Sequence, residues 1–185
     1  MLQQGVIGQL RWQLNNIKAL ALNKLIRTKL EDTHITKMGP FDIENELNPF
    51  IHSLQTLMKE WEFDMYDEGT ESKGDKSNDK FDQNKLYMYI NLCKYFLAMK
   101  EQPKAYAIIE NYRDFAITVT QRSQCHHTFK IAAKFFVLQA DLFLKMEQVD
   151  EAIIYYCEAL SSLEMAIKYD CKLQYNNSRH WKGQR

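Results

Sequence analysis

The sequence predicts an all-α protein of about six helices, arranged as antiparallel helical hairpins in a short solenoid. Glycine is absent between Gly74 and Gly183, and the chain holds only three prolines, so long stretches lack the residues that interrupt helices. Apolar residues recur at spacings of three and four, which is the period of one helix face. The segment Phe96-Leu97-Ala98-Met99 returns 47 residues later as Phe143-Leu144-Lys145-Met146, which indicates two copies of one hairpin.

Composition and charge narrow the class of protein. The chain has 185 residues, of which 45% are hydrophobic and 12% aromatic, enough for a folded core and too many for a disordered chain. Twenty-four basic and 24 acidic residues cancel, so no global field favours nucleic acid or an anionic membrane. No apolar run reaches the ~18 residues of a membrane span, so we expect a soluble or peripherally attached protein.

The four cysteines indicate a reducing compartment. Cys93, Cys125, Cys157 and Cys171 show no paired spacing, and a helical domain of this size does not need disulfides to fold. We therefore expect an intracellular, cytoplasmic protein, with a mitochondrial location left open by the basic N-terminus described below.

Residues 1–61 predict two N-terminal helices that could cap the hairpins. The first, about residues 2–30, places apolar side chains on one face: Ile7, Leu10, Leu14, Ile17, Ala21 and Leu25. The second is expected to begin at Pro49, which is tolerated in a first helical turn, with Asn48 as its N-cap. Residues 42–47 are expected to add a short turn.

A polar segment separates these helices from the hairpins. Residues 67–80 contain no large apolar side chain, so they cannot offset the entropy of ordering, and residues 62–83 are predicted to form a mobile loop. Beyond it, the apolar registers predict helices over about 84–100, 103–121, 128–146 and 149–169, then a tail over 171–185. The short connections at Glu101-Gln102 and Glu147-Gln148 predict antiparallel hairpins. The last helix carries one apolar register: Val149, Ala152, Ile153, Tyr156, Leu160, Leu163 and Ile167.

Residues 133–160 resemble a tetratricopeptide repeat. The likeness is carried by a large, a small and an aromatic residue on one helix and a small-aromatic-small series on the next: Phe136, Ala140, Phe143, Ala152, Tyr156 and Ala159. Small residues let two helices approach closely while the rings fill the space beside them. The earlier copy matches through Tyr89, Leu92, Cys93, Phe96 and Ala105. The chain departs from the family in its longer period, since about 34 residues is usual, and in Gln139 and Glu147, where Leu and Gly are usual.

The resemblance covers residues 84–169 and implies a surface that binds other proteins. In the family, the first helix of each hairpin lines the concave face, so the implied partner contacts are Tyr87, Ile90, Lys94, Lys134, Val137 and Asp141. Repeated hairpins usually present surfaces and seldom carry chemistry. We therefore expect a non-catalytic interaction module or an accessory subunit of a larger complex, with no cofactor, no metal and no catalytic residue.

One short segment, Cys125-His126-His127, concentrates side chains that can bind metals. Zinc needs about four ligands, and the neighbouring sequence offers no second pair at suitable spacing, so the start of a helix is the preferred interpretation. The sequence also contains no phosphate-binding glycine loop, dinucleotide fingerprint, nucleophile elbow or HExxH motif. Enzymatic activity therefore has no support in the sequence.

The first helix is locally basic in a neutral chain. Residues 1–30 contain five basic residues and no acidic one: Arg11, Lys18, Lys24, Arg27 and Lys29. Three interpretations stay open: a helix packed on the rest of the chain or on a partner, a surface for nucleic acid or anionic membrane, and a mitochondrial targeting segment. The first is preferred, and the second is the alternative function.

Overall fold

The protein is all-α throughout the part of the chain that the structure describes. The computed structural model describes residues 2–32, 37–67, 76–122 and 125–182. It contains six helices in these ranges: α1 (Leu2–Glu31), α2 (Pro40–Asp67), α3 (Lys76–Ala98), α4 (Gln102–Arg122), α5 (His126–Lys145) and α6 (Val149–Lys182). The predicted all-α class is confirmed. None of these helices, over the described residues, combines the length and the hydropathy needed to cross a bilayer.

The helices group into two compact units, Met1–Ile108 and Ile109–Arg185. The first unit holds α1, α2, α3 and the beginning of α4, and the second holds the rest of α4 with α5 and α6. The boundary therefore falls inside α4. It does not fall in the polar segment 62–83, because α3, which follows that segment, packs against α1 and α2.

The second helix begins nine residues earlier than predicted, at Pro40 instead of Pro49. Pro49 lies inside α2, where a proline removes a backbone hydrogen bond and clashes with the carbonyl of residue i−4, at a cost of about 3 kcal/mol. Burial offsets this cost, since Ile43 and Leu47 precede the proline and are 3% and 0% exposed. Full burial of each contributes about 1.5 to 3 kcal/mol. The prediction was wrong because it weighed the proline without the packing around it.

Further helix boundaries differ from the predictions. α2 continues to Asp67 and α3 begins at Lys76, so residues 62–67 and 76–83 of the predicted loop are helical, while residues 68–75 lie outside the described residues. α6 continues to Lys182, so most of the segment predicted as a tail is helical. The stretch from Val149 to Lys182 contains neither Gly nor Pro, so no residue in it interrupts the helix.

In the first unit, α1 packs against α2 and α3 with small and amide side chains. The buried residues of α1 recur at spacings of three and four: Asn15, Ala19, Asn23 and Ile26. The Asn23 side chain donates to the carbonyl oxygen of Asn84 at 2.9 Å, and Asn91 Nδ2 donates to Asn23 Oδ1 at 2.9 Å. These hydrogen bonds join α1 to α3 and satisfy amide groups that would be costly to bury unpaired.

Ile26 is buried, but the large apolar residues that the sequence places on one face of α1 lie on its exposed side. Leu10, Leu14, Ile17 and Leu25 are between 39% and 65% exposed, while Ile7 lies outside the residues whose side chains are described. The shared face that the sequence predicts is therefore real, but it is not the face that packs in the unit.

In the second unit, α5 and α6 form an antiparallel hairpin that aromatic pairs hold in register. Phe143 stacks on Tyr155 at a centroid distance of 5.2 Å near the turn, and Phe129 meets Tyr169 at 5.4 Å near the open end. The separation in sequence between Phe129 and Phe143 on α5 equals that between Tyr155 and Tyr169 on α6. It corresponds to about four helical turns. On the other face of Tyr155, the Arg113 guanidinium lies 5.4 Å from the ring centroid, so α4 contributes to the same contact.

The turns after α3 and α5 share one backbone conformation. Lys100 and Glu147, which are 47 residues apart, have positive φ angles of 61° and 62°. In each turn the next amide bonds back to the carbonyl of a phenylalanine: Glu101 to Phe96 at 2.8 Å, and Gln148 to Phe143 at 3.0 Å. This is the Schellman arrangement that ends many helices. The internal likeness of the sequence thus extends to the backbone of these two turns.

Candidate functional site

The six predicted partner contacts fall in two units and differ in exposure. In the first unit, Tyr87 and Lys94 are half-buried, and Ile90 is 3% exposed, so Ile90 offers no surface to a partner. Burial raises the pKa of Tyr87, with the nearby Arg27 acting in the opposite direction. In the second unit, Lys134 and Val137 are exposed and Asp141 is half-buried. The structure places these last three on one line along α5.

That line belongs to a narrow exposed strip on a helix that is otherwise largely buried. We call it the α5 stripe: His127, Lys130, Lys134, Val137, Asp141 and Leu144. Its members alternate at spacings of three and four, so they lie above one another on one face. The residues between them are almost all buried, including Phe135, Leu138 and Leu142.

The first half of the α5 stripe is electropositive. Partial burial lowers the pKa of His127, and the nearby His126, Lys134 and Lys130 lower it further. Because its pKa is lowered, the His127 imidazole is neutral at neutral pH and does not repel the ammonium groups of Lys130 and Lys134. Lys130 and Lys134 therefore supply the positive charge of this segment, which suits a carboxylate or another anionic group.

The predicted metal-capable segment serves a different purpose. Cys125 is the N-cap of α5, and its sulfur accepts a hydrogen bond from the Thr128 amide at 3.5 Å. His126 Nδ1 lies 3.4 Å from an Asp170 carboxylate oxygen, so the first turn of α5 lies beside α6 at this point. Among the described residues, no three His, Cys, Asp or Glu side chains are grouped as a metal site would require.

α6 carries two stripes, and the stripe of smaller residues packs inward. Its members are Ala152, Tyr155, Ala159, Ser162 and Ala166, all at most 9% exposed. Short side chains let the axes of α5 and α6 approach, and the opposing face of α5 includes the equally buried Ala140. The predicted packing positions Phe136, Phe143, Ala152 and Ala159 are buried as expected, whereas Tyr156 is only half-buried.

The second stripe of α6 consists of large aliphatic residues that remain exposed. We call it the α6 aliphatic stripe, with these exposed fractions: Val149 52%, Ile153 53%, Leu160 61%, Leu163 40% and Ile167 64%. Tyr156 lies in the same register. Three exposed charged residues directly follow stripe residues on one side, the acidic Asp150 and Glu164 and the basic Lys168, so this border is acidic on balance. A contiguous apolar strip with a polar border is typical of an interaction surface.

These residues share one apolar register in the sequence, and that register alone does not mark them as a site. The signal that could have identified the site is that this register contains two adjacent stripes, one of small residues and one of large residues. A helix needs one stripe to pack in a hairpin. A second stripe of Ile, Leu and Val therefore indicates another contact.

A matching exposed face occurs on α1. We call it the α1 stripe: Leu10, Leu14, Ile17 and Ala21, all exposed. Of the basic residues on this helix, Arg11, Lys18 and Lys24 are also exposed. Lys29 pairs with Glu46 on α2, and Arg27 lies 4.0 Å from Glu31. The charge of the last turns is thus partly neutralised within the unit, while that of the first turns is not.

Comparisons of the chain with protein-family models, with curated proteins and with solved structures gave no match.

Proposed function

We propose that this chain is a non-catalytic subunit of a protein complex and that it binds a helix of its partner on the α6 aliphatic stripe. The observation that supports this is the exposure of five large aliphatic residues at heptad-like spacing on a helix whose other apolar face is already packed. Burial of such a strip by a partner helix is strongly favourable, because each side chain has apolar area still exposed to water.

The border of the stripe defines the chemistry of the partner. Asp150 and Glu164 favour a helix with basic residues beside its apolar positions, since charge complementarity at the rim sets register and suppresses wrong partners. The neighbouring face of α6 is covered by α5, so the partner helix approaches from the acidic side. The tetratricopeptide-like resemblance is compatible with this function, and it remains a prediction.

The proposal is tested by affinity purification from the native source. The wild-type chain is compared with a variant carrying Leu160→Glu and Ile167→Glu, and mass spectrometry identifies the proteins retained. We expect the variant to lose partners that the wild type retains. A matched control, Asn45→Glu with Asn48→Glu, adds the same charge at exposed positions of α2 and should retain them. Equal retention by all three forms would reject the stripe as a docking surface.

The alternative function, binding of nucleic acid or an anionic membrane through α1, is favoured by the exposed Arg11, Lys18 and Lys24. The pairing of Lys29 with Glu46 lowers the number of cations available for phosphates. A salt titration separates the alternatives, because phosphate contacts make affinity fall steeply with salt while an apolar contact is nearly indifferent.

A further inference from the structure

We infer that the occupant of the α6 aliphatic stripe is α1 of a second copy of this chain, so that copies associate head to tail. This inference rests on the proposed function, since it names the partner of the same stripe. It is carried by two relationships between α1 and α6: the spacing of their exposed apolar residues and the opposite charges beside them.

The two stripes have the same periodicity. Leu10, Leu14, Ile17 and Ala21 follow one another at intervals of four, three and four residues, and Ile153, Tyr156, Leu160, Leu163 and Ile167 continue the same alternation. This is the pattern of a coiled-coil seam, in which side chains of one helix fill the gaps between those of the other. The α1 seam extends over about three turns and the α6 seam, from Ile153 to Ile167, over about four, so the shorter seam covers most of the longer one.

The charges beside the two seams are complementary. Arg11 and Lys18 each directly follow a residue of the α1 stripe, while the acidic Asp150 and Glu164 and the basic Lys168 each directly follow a residue of the α6 aliphatic stripe. Because the two cations of α1 lie closer together along their helix than the two carboxylates of α6, one register brings one cation against one carboxylate. The total charges of the two helical segments are also opposite in sign. α1 has five basic residues and one acidic residue, Glu31, whereas the segment from Val149 to Asp170 has five acidic residues and one basic residue, Lys168. Such flanking charges set partner choice and orientation between paired helices.

The same charges disfavour pairing of like with like. Two α6 helices would bring acidic borders together, and two α1 helices would bring Arg11 and Lys18 of one copy near those of the other. Charge repulsion thus selects the contact of α1 with α6, which joins two different surfaces and is heterologous. An assembly formed in this way still has a free α1 stripe at one end and a free α6 aliphatic stripe at the other. Association therefore continues into rings or open chains.

A mixing experiment with two blocked variants tests the inference on the full-length chain. One variant carries Leu14→Glu and Ile17→Glu in the α1 stripe, and the other carries Leu160→Glu and Ile167→Glu in the α6 aliphatic stripe. All four positions are exposed, so both variants should keep the helical circular dichroism of the wild type. Sedimentation velocity is recorded between about 1 and about 100 µM, where weak association is measurable.

The expected results follow from the geometry. The wild-type mass rises with concentration above the 22.0 kDa of one chain, whereas each blocked variant alone stays at that mass. An equimolar mixture of the two forms dimers and nothing larger, because only one intact α1 and one intact α6 can meet. Mixtures that remain monomeric, or blocked variants that still assemble alone, would overturn the inference.

Charge reversal gives a second, independent measurement. Arg11→Glu with Lys18→Glu in the copy that supplies α1 should weaken the mixed dimer by roughly tenfold at low salt, where charge repulsion is least screened. Asp150→Lys with Glu164→Lys in the other copy should restore it. Lys59→Glu on α2, an exposed position outside the seam, serves as the control and should leave the dimer unchanged. Failure of the second reversal to restore binding would contradict the proposed charge pairing.

The failure of this inference is distinguishable from the failure of the proposed function. A wild-type chain that stays monomeric at all concentrations rejects self-association. If Leu160→Glu with Ile167→Glu then still abolishes retention of a different protein, the docking function stands with another partner. Sedimentation of that monomer with phosphatidylserine vesicles, lost on Arg11→Glu with Lys18→Glu, would instead assign α1 to a membrane surface and also overturn the inference.

Discussion

The Tyr156 hydroxyl donates a 2.6 Å hydrogen bond to Asp141 Oδ1, joining α6 to the exposed stripe of α5. The bond fixes the position of a carboxylate that the sequence predicts as a partner contact. It also explains why the pKa of Tyr156 is raised: hydrogen bonding to Asp141 is the main cause, followed by burial and by the negative charge of Asp141. A hydroxyl that donates a hydrogen bond to a carboxylate loses its proton less readily.

Removing this hydroxyl should weaken the α5–α6 hairpin. We expect Tyr156→Phe to lower the free energy of unfolding by about 1 to 2 kcal/mol at neutral pH, because a hydrogen bond to a charged group contributes about 1.5 to 3 kcal/mol and solvent weakens this partly exposed one. Denaturant titration measures it. Combining Tyr156→Phe with Asp141→Asn should cost less than the sum of the single changes, since both remove one interaction. Strict additivity would contradict the bond.

The same bond predicts a difference above pH 10. The folded chain holds the Tyr156 proton more tightly than the unfolded chain, whose tyrosine titrates near 10.0. Stability from this group is complete below pH 10.0 and is lost as the pH rises through the higher pKa of the folded state. The advantage of the wild type over Tyr156→Phe should therefore shrink above pH 10. Measuring the difference cancels the effects of Tyr87, Tyr95 and Tyr155, whose pKa values are also raised.

The sequence predicts much of this fold because small and large apolar residues recur at helical spacing. Periodicity and hydrophobicity do not predict which stripe of α6 packs inward, because they favour Leu160 over Ala159, and only the tetratricopeptide-like series assigns Ala159 to a packed position. The structure buries Ala159 and exposes Leu160, since close approach of α5 needs short side chains. That choice depends on the opposing helix, and it is also the reason that the candidate docking surface was not selected from sequence.

Pro49 gives a second case in which tertiary packing outweighs a local signal. Replacing it by alanine restores a backbone amide in the interior of α2, and we expect stability to rise by about 1 to 3 kcal/mol. Thermal or denaturant unfolding measures the gain. Pro103→Ala is the matched control, since Pro103 lies in the first turn of α4, where a proline costs little. An equal effect at both sites would show that the interior position is not the cause.

Glu147 ends α5 in a left-handed conformation that glycine adopts without steric cost. Glu147→Gly should therefore stabilise the second unit by about 1 kcal/mol, and Lys100→Gly should act similarly in the first unit. Glu158→Gly, in the interior of α6, should change stability by a comparable amount in the opposite direction. Loss of stability on Glu147→Gly would show that side-chain contacts outweigh the backbone conformation.

Gln139 lies at 0% exposure in α5, and neither polar atom of its amide has a hydrogen-bond partner among the described residues. An unsatisfied buried amide costs about 1 to 3 kcal/mol, and leucine has a similar volume without the polar atoms. We expect Gln139→Leu to raise the free energy of unfolding by about 1 to 2 kcal/mol. Gln121→Leu, at an exposed position of α4, should change it by less than about 0.5 kcal/mol.

The last prediction concerns the face that the resemblance selects. Lys94→Glu with Lys134→Glu should weaken partner capture while the circular dichroism of the chain stays unchanged, because Lys134 is exposed and Lys94 half-buried. Lys37→Glu with Lys59→Glu makes the same change of net charge at exposed positions of the first unit and should leave capture intact. The comparison therefore separates a local contact from a general effect of charge. Unchanged capture by the first pair would remove this face from consideration and leave the α6 aliphatic stripe as the remaining docking surface.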